Sequence, residues 1–231
     1  MRVLGIIPAR GGSKGIKKKN IIKIGNKPLI EYTIDQCSKS KKLSRFIVST
    51  DDEEIAKISS NLGAEIPFMR PEILSNDTSS SFSVIKHTAE FFLKKDEKYN
   101  AYMLLQPTTP LRTSTLIDDS INLLEQKPNA SSVISLVNVG ANHPHRMYSL
   151  DQESKMFPLI KGDFDPMEPR QKLPNYYIRS GDIYLTTFET LFQENSLIGS
   201  KPIGIKVNPN NAINIDTQND LELARIYLRA N

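Results

Sequence analysis

Tryptophan is absent from this 231-residue chain, and cysteine occurs once, as Cys37. A lone cysteine excludes an internal disulfide and fits a reducing compartment. No apolar run approaches the ~18 residues that a membrane-spanning helix needs. The run Val3–Ile7 is cut short by Pro8 and Arg10, too early for the hydrophobic stretch of a signal peptide. These absences lead to the expectation of a cytoplasmic chain with no membrane partner. Acidic residues are also absent from residues 1–30, which hold eight basic ones. Lys+Arg 30 minus Asp+Glu 26 gives +4, so the remaining chain carries 22 minus 26, or −4. The positive charge is therefore one local cluster. A general nucleic-acid binder spreads its charge along a face, whereas a cluster at one loop suits a small polyanion such as a nucleotide.

What is present is a rhythm. Val3–Ile7 reads as a buried strand, followed by a Gly/Lys-rich loop. Leu29–Ser38 reads as a helix opened by Pro28, and Phe46–Ser49 as a second strand. Asp52–Asn61 reads as a helix with acids in its first turn and Gly63 past its end. Then come a short strand Ile66–Met69, a helix Ser81–Lys95, a strand Ala101–Leu105 and a helix Ser114–Gln126. Ser132–Val139, Ile183–Thr186 and Ile203–Val207 read as strands, and Thr217–Arg229 as a closing helix. This alternation predicts an α/β domain with a mostly parallel sheet covered by helices on both faces.

Residues 140–178 break the rhythm, with five prolines, two of the three histidines and many aromatics and methionines but no clear period. A stretch of that length inside a domain is usually functional or an interface arm; the plainer reading is a surface excursion. With no repeats and no Gly/Ser linker, residues 1–231 are expected to form one domain, with 140–178 as its arm. His143 and His145 form a His-x-His pair, which lacks the further nitrogen or sulfur ligands that zinc requires.

The segment IIPARGGSKGIKKKN (Ile6–Asn20) is the most informative. Gly11, Gly12 and Gly15 let backbone N–H groups approach an anion closely, and Arg10, Lys14 and Lys19 can spread charge over a triphosphate. Gly15 is followed by Ile16, so this is not a P-loop, and no dinucleotide glycine spacing is present. Taken alone, such a loop could equally be a solvated turn. QPTTPLR follows a strand and so lies at a strand's C-terminal end, where open α/β sheets bind ligands. Arg112, at its end, reads as a loop charge outside the site.

The segment PARGGSKGIKKKN resembles the N-terminal signature of the CMP-sugar synthetases that activate sialic acid and related nine-carbon ulosonic acids. RPEILSNDTSSS (Arg70–Ser81), LLQPTTPLR (Leu104–Arg112), NHPHR (Asn142–Arg146), RQKLPNYYIRSGDIYL (Arg170–Leu185) and NIDTQNDLELA (Asn214–Ala224) resemble later motifs of that family, in order. The resemblance implies a Rossmann-like nucleotidyltransferase fold. It also implies a cytidylyltransferase reaction, in which CTP and a sialic-type sugar acid give CMP-sugar and pyrophosphate with Mg²⁺ (or Mn²⁺). On this resemblance Arg10 and Lys19 face the triphosphate and serve catalysis, with Ser13 and Lys14 from the same loop. Asn20 and Ser81 contact the cytidine, and Arg70 lies near the nucleotide. Read on its own, Ser79–Ser81 is equally a helix N-cap cluster, and Asp77 could be capping too.

For the sugar, the resemblance implies contact by Gln106. It also implies that Arg146 and Arg170 reach the sugar carboxylate of a neighbouring subunit, hence a homodimer with shared sites. Tyr176, Tyr177 and Tyr184 suit core or interface rings, with Tyr184 carried as a sugar-side contact. Asp216, with Asn214 two residues before it, is the metal candidate. Two departures stand out. Relatives commonly show Asn-Gly-Ala-Ile-Tyr where this chain has Ser180-Gly181-Asp182-Ile183-Tyr184, which bears on sugar specificity. They also carry two aspartates where this chain has Asn214 and Asp216, which bears on metal coordination. The rivals are an enzyme making the CMP derivative of the eight-carbon acid Kdo, and a non-catalytic nucleotide- or RNA-binding protein.

Overall fold

In the computed structural model, which describes residues 1–13, 15–162 and 167–230, six strands form the central sheet. They are β1 (Val3–Pro8), β2 (Arg45–Ser49), β3 (Ala101–Leu104), β4 (Ser132–Asn138), β5 (Tyr177–Thr187) and β6 (Pro202–Lys206). Their spatial order is β6-β4-β5-β3-β1-β2. β1 lies parallel to both β2 and β3, and β6 lies parallel to β4. β5 runs antiparallel between β3 and β4. The sheet is mostly parallel, as the alternation predicts.

Side chains alternate across β1, and each face has its own core. Val3 and Ile7 pack with Ile30 and Ile34 of α1 (Leu29–Lys39), Ile55 of α2 (Glu53–Asn61) and Ile117 and Ile121 of α4 (Ser114–Gln126). Leu4 and Ile6 face the other way, onto Ile85, Ala89 and Phe92 of α3 (Ser81–Leu93) and Leu191 of α5 (Phe188–Phe192). Each fully buried Leu, Ile or Phe contributes about 1.5–3 kcal/mol, so neither face could be left bare. The helix starts follow local chemistry. Asp52 caps α2 by accepting from the Ile55 N–H at 2.9 Å, and Thr113 and Ser80 cap α4 and α3 in the same way. Gly63 closes α2 at φ +85°, a left-handed conformation that a side chain would strain.

A third, smaller cluster does the positioning. Ile16 of the Gly/Lys-rich loop, with Ile24 and Leu29, packs against Ile215 and against Leu221 and Ala224 of α6 (Gln218–Ala230). Residues nearly 200 positions apart are thus brought to one end of the sheet. No helix among the described residues is long and apolar enough to cross a membrane.

Two elements differ from the sequence reading. Ile66–Met69 is not a strand; single bridges Ile47–Glu65 and Thr50–Met69 flank it. Pro67 has no N–H to give to a ladder and interrupts the pairing. β5 spans eleven residues rather than Ile183–Thr186. Gly181 at φ +88° lets the strand bulge, so that it runs from Tyr177 through to Thr187.

Candidate active site

A cleft of about 390 Å³ opens beyond the C-terminal ends of β1 and β3. It collects most of the nucleotide-side residues singled out from the sequence: Arg10, Ser13, Lys19, Asn20, Arg70 and Ser81, together with Gln106. Lys14 lies outside the described residues.

Each side chain is held by its element. Asn20 sits in a short 3-10 turn, Lys19–Ile21, and its side-chain amide donates to the Arg10 carbonyl at 2.9 Å, closing the basic loop on itself. The Gly11 N–H donates to Asp51 Oδ1 at 3.2 Å, and a Cβ on Gly11 would lie only 2.6 Å from Asp52 Oδ2. Only glycine lets the loop pass this close to the start of α2. Arg10 pairs with Asp77 at 2.8 Å. Asp77 therefore serves this ion pair across the cleft, while the cap of α3 is Ser80. Ser81 is the first residue of that helix and turns to the cleft.

Arg70 is buried behind the cleft, its guanidinium donating to the carbonyl and hydroxyl of Ser49 at the end of β2. Burial pushes its pKa down to about 10, opposed by Asp51 and reinforced by Arg10. It remains a cation at neutral pH, at the floor of the cleft.

The late segment meets the loop directly. Lys19 Nζ donates to the Ile215 carbonyl at 3.1 Å and to Asp216 Oδ1 at 3.2 Å. The Asn214 amide donates to Asp216 Oδ2 at 2.9 Å, so both side chains point to the same side. The Ile215 N–H donates to the Thr108 carbonyl at 2.8 Å, which ties this segment to the QPTTP turn. Capping of α6 falls to Thr217 and Asp220: Asp220 Oδ2 accepts from the Thr217 N–H at 2.7 Å, and Thr217 Oγ1 accepts from the Asp220 N–H at 3.3 Å. This reciprocal pair is a capping box, and it leaves the Asp216 carboxylate free of that duty. The described residues contain no cluster of three or more metal-ligating His, Cys, Asp or Glu side chains. One carboxylate with an amide beside it nevertheless fits Mg²⁺, which takes one or two carboxylates and fills its shell with phosphate oxygens and water.

The sugar-side candidates divide. Gln106 lines the cleft, and Tyr184 lines a smaller hollow that adjoins it through Ser81 and Gln106. Arg146 belongs to a 3-10 turn, Pro144–Arg146, in the irregular segment, where it donates to the Glu168 carbonyl at 3.3 Å, and is not among the residues lining this chain's cleft. Arg170 opens the turn Arg170–Lys172, and its side chain is outside the described part. His143 is buried; its Nδ1 accepts from the His145 N–H, so Nε2–H donates to the Pro174 carbonyl at 2.9 Å. His143 thus ties the turn Pro144–Arg146 to Pro174, 31 residues further on.

Arg112 departs most from its sequence reading. It is not a solvated charge but is buried under the site. Its Nε donates to the Asp182 carbonyl at 2.8 Å, Nη1 to Thr33 Oγ1 at 3.0 Å and Nη2 to the Gln106 carbonyl at 2.6 Å. Burial pulls its pKa down and pushes that of the neighbouring Asp182 carboxyl up, while each group's charge opposes the other's shift. The guanidinium fork stitches the turn carrying Gln106 to the bulge of β5, and a spacing of Pro and Leu gives no hint of it. Arg112→Ala is expected to destabilise the fold by on the order of 3 kcal/mol, since two carbonyls and two hydroxyls, those of Thr33 and Thr109, lose their donor and the buried Asp182 carboxyl loses its neighbouring cation. Urea denaturation checks this; a midpoint within error of the parent would show that the fork is not structural.

A family model described as Cytidylyltransferase matches residues 4–201. The chain is 29% identical over 223 residues to an N-acylneuraminate cytidylyltransferase of Escherichia coli, covering 96% of this chain but 51% of that one. It thus spans about half the length of that relative. It is 31% identical over 233 residues to a pseudaminic acid cytidylyltransferase of Campylobacter jejuni, covering 100% of this chain and 98% of that one. Among solved structures, CMP:2-keto-3-deoxy-manno-octonic acid synthetase complexed with CTP superposes with a TM-score of 0.71 at 18% identity, covering 100% of this chain and 99% of that one. This last likeness concerns the fold.

Proposed function

The chain belongs to the cytidylyltransferase family, and from that premise we propose that it transfers CMP from CTP to a nine-carbon ulosonic acid. The observation that carries the reading is the shared cleft. Cations of the N-terminal loop and Gln106 of the QPTTP turn border one opening, so a nucleotide and an acceptor can lie side by side. The sugar's anomeric hydroxyl attacks the α-phosphorus; its oxygen forms the new P–O bond, the bond to pyrophosphate breaks, and the hydroxyl proton leaves to solvent. Holding two reactants in line supplies much of the rate gain in such a transfer. Arg10 and Lys19 offset charge on the triphosphate and the leaving pyrophosphate, Ser13 and Lys14 adding donors from the same loop. Asn20, Ser81 and Arg70 surround the nucleotide. Mg²⁺ held by Asp216, with Asn214 beside it, would supply further neutralisation of the phosphates.

The test is pyrophosphate release from CTP with N-acetylneuraminic, legionaminic or pseudaminic acid or Kdo. Turnover dependent on both CTP and a nine-carbon acid supports the reading, and activity with Kdo alone reassigns the acceptor. Failure with all four overturns it.

Arg146 and Arg170 serve the sugar half from a second copy of the chain in this proposal. The hairpin Tyr148–Leu150/Met156–Pro158 carries exposed Leu150, Met156 and Phe157, with exposed Met147 and Leu159 beside it, an apolar surface suited to a partner. Mixing inactive Arg170→Ala with inactive Lys19→Ala protomers is expected to restore part of the activity. No recovery in verified heterodimers would separate the arm from the site.

A further inference from the structure

We propose that Arg179 is the seat of the acceptor's carboxylate within the chain's own site. The inference rests on the ulosonic-acid reading above and assigns the carboxylate to a residue that neither the motifs nor the cleft singles out, in place of the Arg146 and Arg170 that the resemblance implies for that group; those two are left to the rest of the sugar.

The bulge in β5 makes the arrangement. Ile134 of β4 pairs with Tyr184, and Leu136, two residues on, pairs with Arg179. Two residues on β4 keep to one face of the sheet. The matching span on β5 is five residues, an odd number that in a regular strand would put Tyr184 and Arg179 on opposite faces. The excess is absorbed around Gly181, at φ +88°, and both side chains emerge on one face. They line a common hollow of about 170 Å³ with Gln106 and Ser81, the two residues through which it adjoins the main cleft.

Three polar side chains point at this hollow without other duties. Among the described residues, Arg179 has no hydrogen-bond or ion-pair partner, nor do the Tyr184 hydroxyl and the Gln106 side-chain amide. A Cβ on Gly181 would lie 3.4 Å from Gln106 Oε1, so the bulge is also what brings β5 up to that amide. The remaining wall is apolar: Leu104, Leu197 and Ile198. A guanidinium fork, a phenol and an amide on an apolar wall form a receptor for a planar anion joined to carbon. Arg pairs with a carboxylate through two parallel N–H···O bonds, geometry that a lysine cannot copy. Other cations near the site are already engaged: Arg10 with Asp77, Lys19 with Asp216 and Arg112 with backbone carbonyls. The acid group of a ulosonic acid adjoins its anomeric carbon. Anchoring the carboxylate beside Gln106 would therefore present the anomeric hydroxyl toward the cleft that takes the triphosphate.

The experiment compares the parent, Arg179→Ala and Arg179→Lys. The probes are whichever of N-acetylneuraminic, legionaminic and pseudaminic acids the parent turns over, and the C1 methyl ester of the same sugar. The parent should prefer acid over ester by about 100-fold in kcat/KM, as expected for a charge-assisted bidentate contact. Arg179→Ala should raise the sugar's KM by about the same factor, leave the KM for CTP and the thermal midpoint within error, and lose the acid-over-ester preference. Arg179→Lys should fall between. A preference that survives in Arg179→Ala, or a parent with none, overturns the assignment while the transferase reading stands. A parent inactive with every sugar acid overturns both.

Discussion

Lys19→Ala is expected to slow pyrophosphate release by ~10²–10³ at saturating CTP and sugar, the usual loss when one electrostatic stabiliser is removed. Among the described lysines of the basic run, position sets Lys19 apart. Its side chain is 19% exposed, against 55% for Lys18, and it lines the cleft next to Asn20. A cation held partly out of water interacts more strongly with phosphate than one that is fully hydrated. Its two contacts, the Ile215 carbonyl and Asp216, anchor the late segment to the loop, so the substitution loosens the site as well as lowering its charge. Lys18 pairs with Glu54 on the surface, away from the cleft, and Lys18→Ala should keep near-parental turnover. Rates for both variants, with thermal melting as a control, decide the matter. A parental rate in Lys19→Ala would reduce the whole run to a solvated face.

The contrast between those two lysines marks how far a sequence can be read. Periodicity finds elements, because burying one face is what makes a helix or strand form at all. Ser114–Gln126 is predicted and observed with the same ends, and Pro28, Asp52 and Gly63 mark helix boundaries through chemistry within a turn of each residue. Motif order brings Arg10, Lys19, Asn20, Arg70, Ser81 and Gln106 to one cleft. What stays hidden depends on partners distant in sequence. Arg112 looks like any loop arginine until the carbonyls of Gln106 and Asp182 are seen around its fork. Lys19 meets Asp216 across 197 positions, through a hydrophobic cluster whose members lie in two unrelated motifs. The bulge at Gly181 is written as Ser-Gly, the same letters that end a strand, and only its pairing with β4 shows that the strand goes on. The face that Arg179 presents is hidden for the same reason, since it cannot be assigned without the bulge.

Asp216→Asn is expected to abolish Mg²⁺-dependent turnover while leaving the protein folded, and the architecture of α6 explains why the two effects separate. Thr217 and Asp220 cap the helix by themselves, so removing the Asp216 charge costs no cap. Its carboxylate is instead engaged by Lys19 on one oxygen and by the Asn214 amide on the other. A divalent ion arriving with the nucleotide would use lone pairs that these contacts leave over, and one carboxylate with phosphate oxygens and waters is a sufficient set. Asn214→Asp supplies the second carboxylate that the resemblance implies at this position. Without metal, two carboxylates side by side repel, which raises the pKa of one and weakens the fold at neutral pH. With metal, both can face the ion. The Asn214→Asp variant should therefore keep its activity, reach half-maximal rate at lower Mg²⁺ than the parent, and gain more thermal stability from added Mg²⁺ in the presence of CTP. Titrating Mg²⁺ against both rate and melting temperature reads the two effects independently. An Asp216→Asn enzyme with the parent's Mg²⁺ curve would remove Asp216 from the metal's shell and leave it as the counter-ion that holds Lys19 in place.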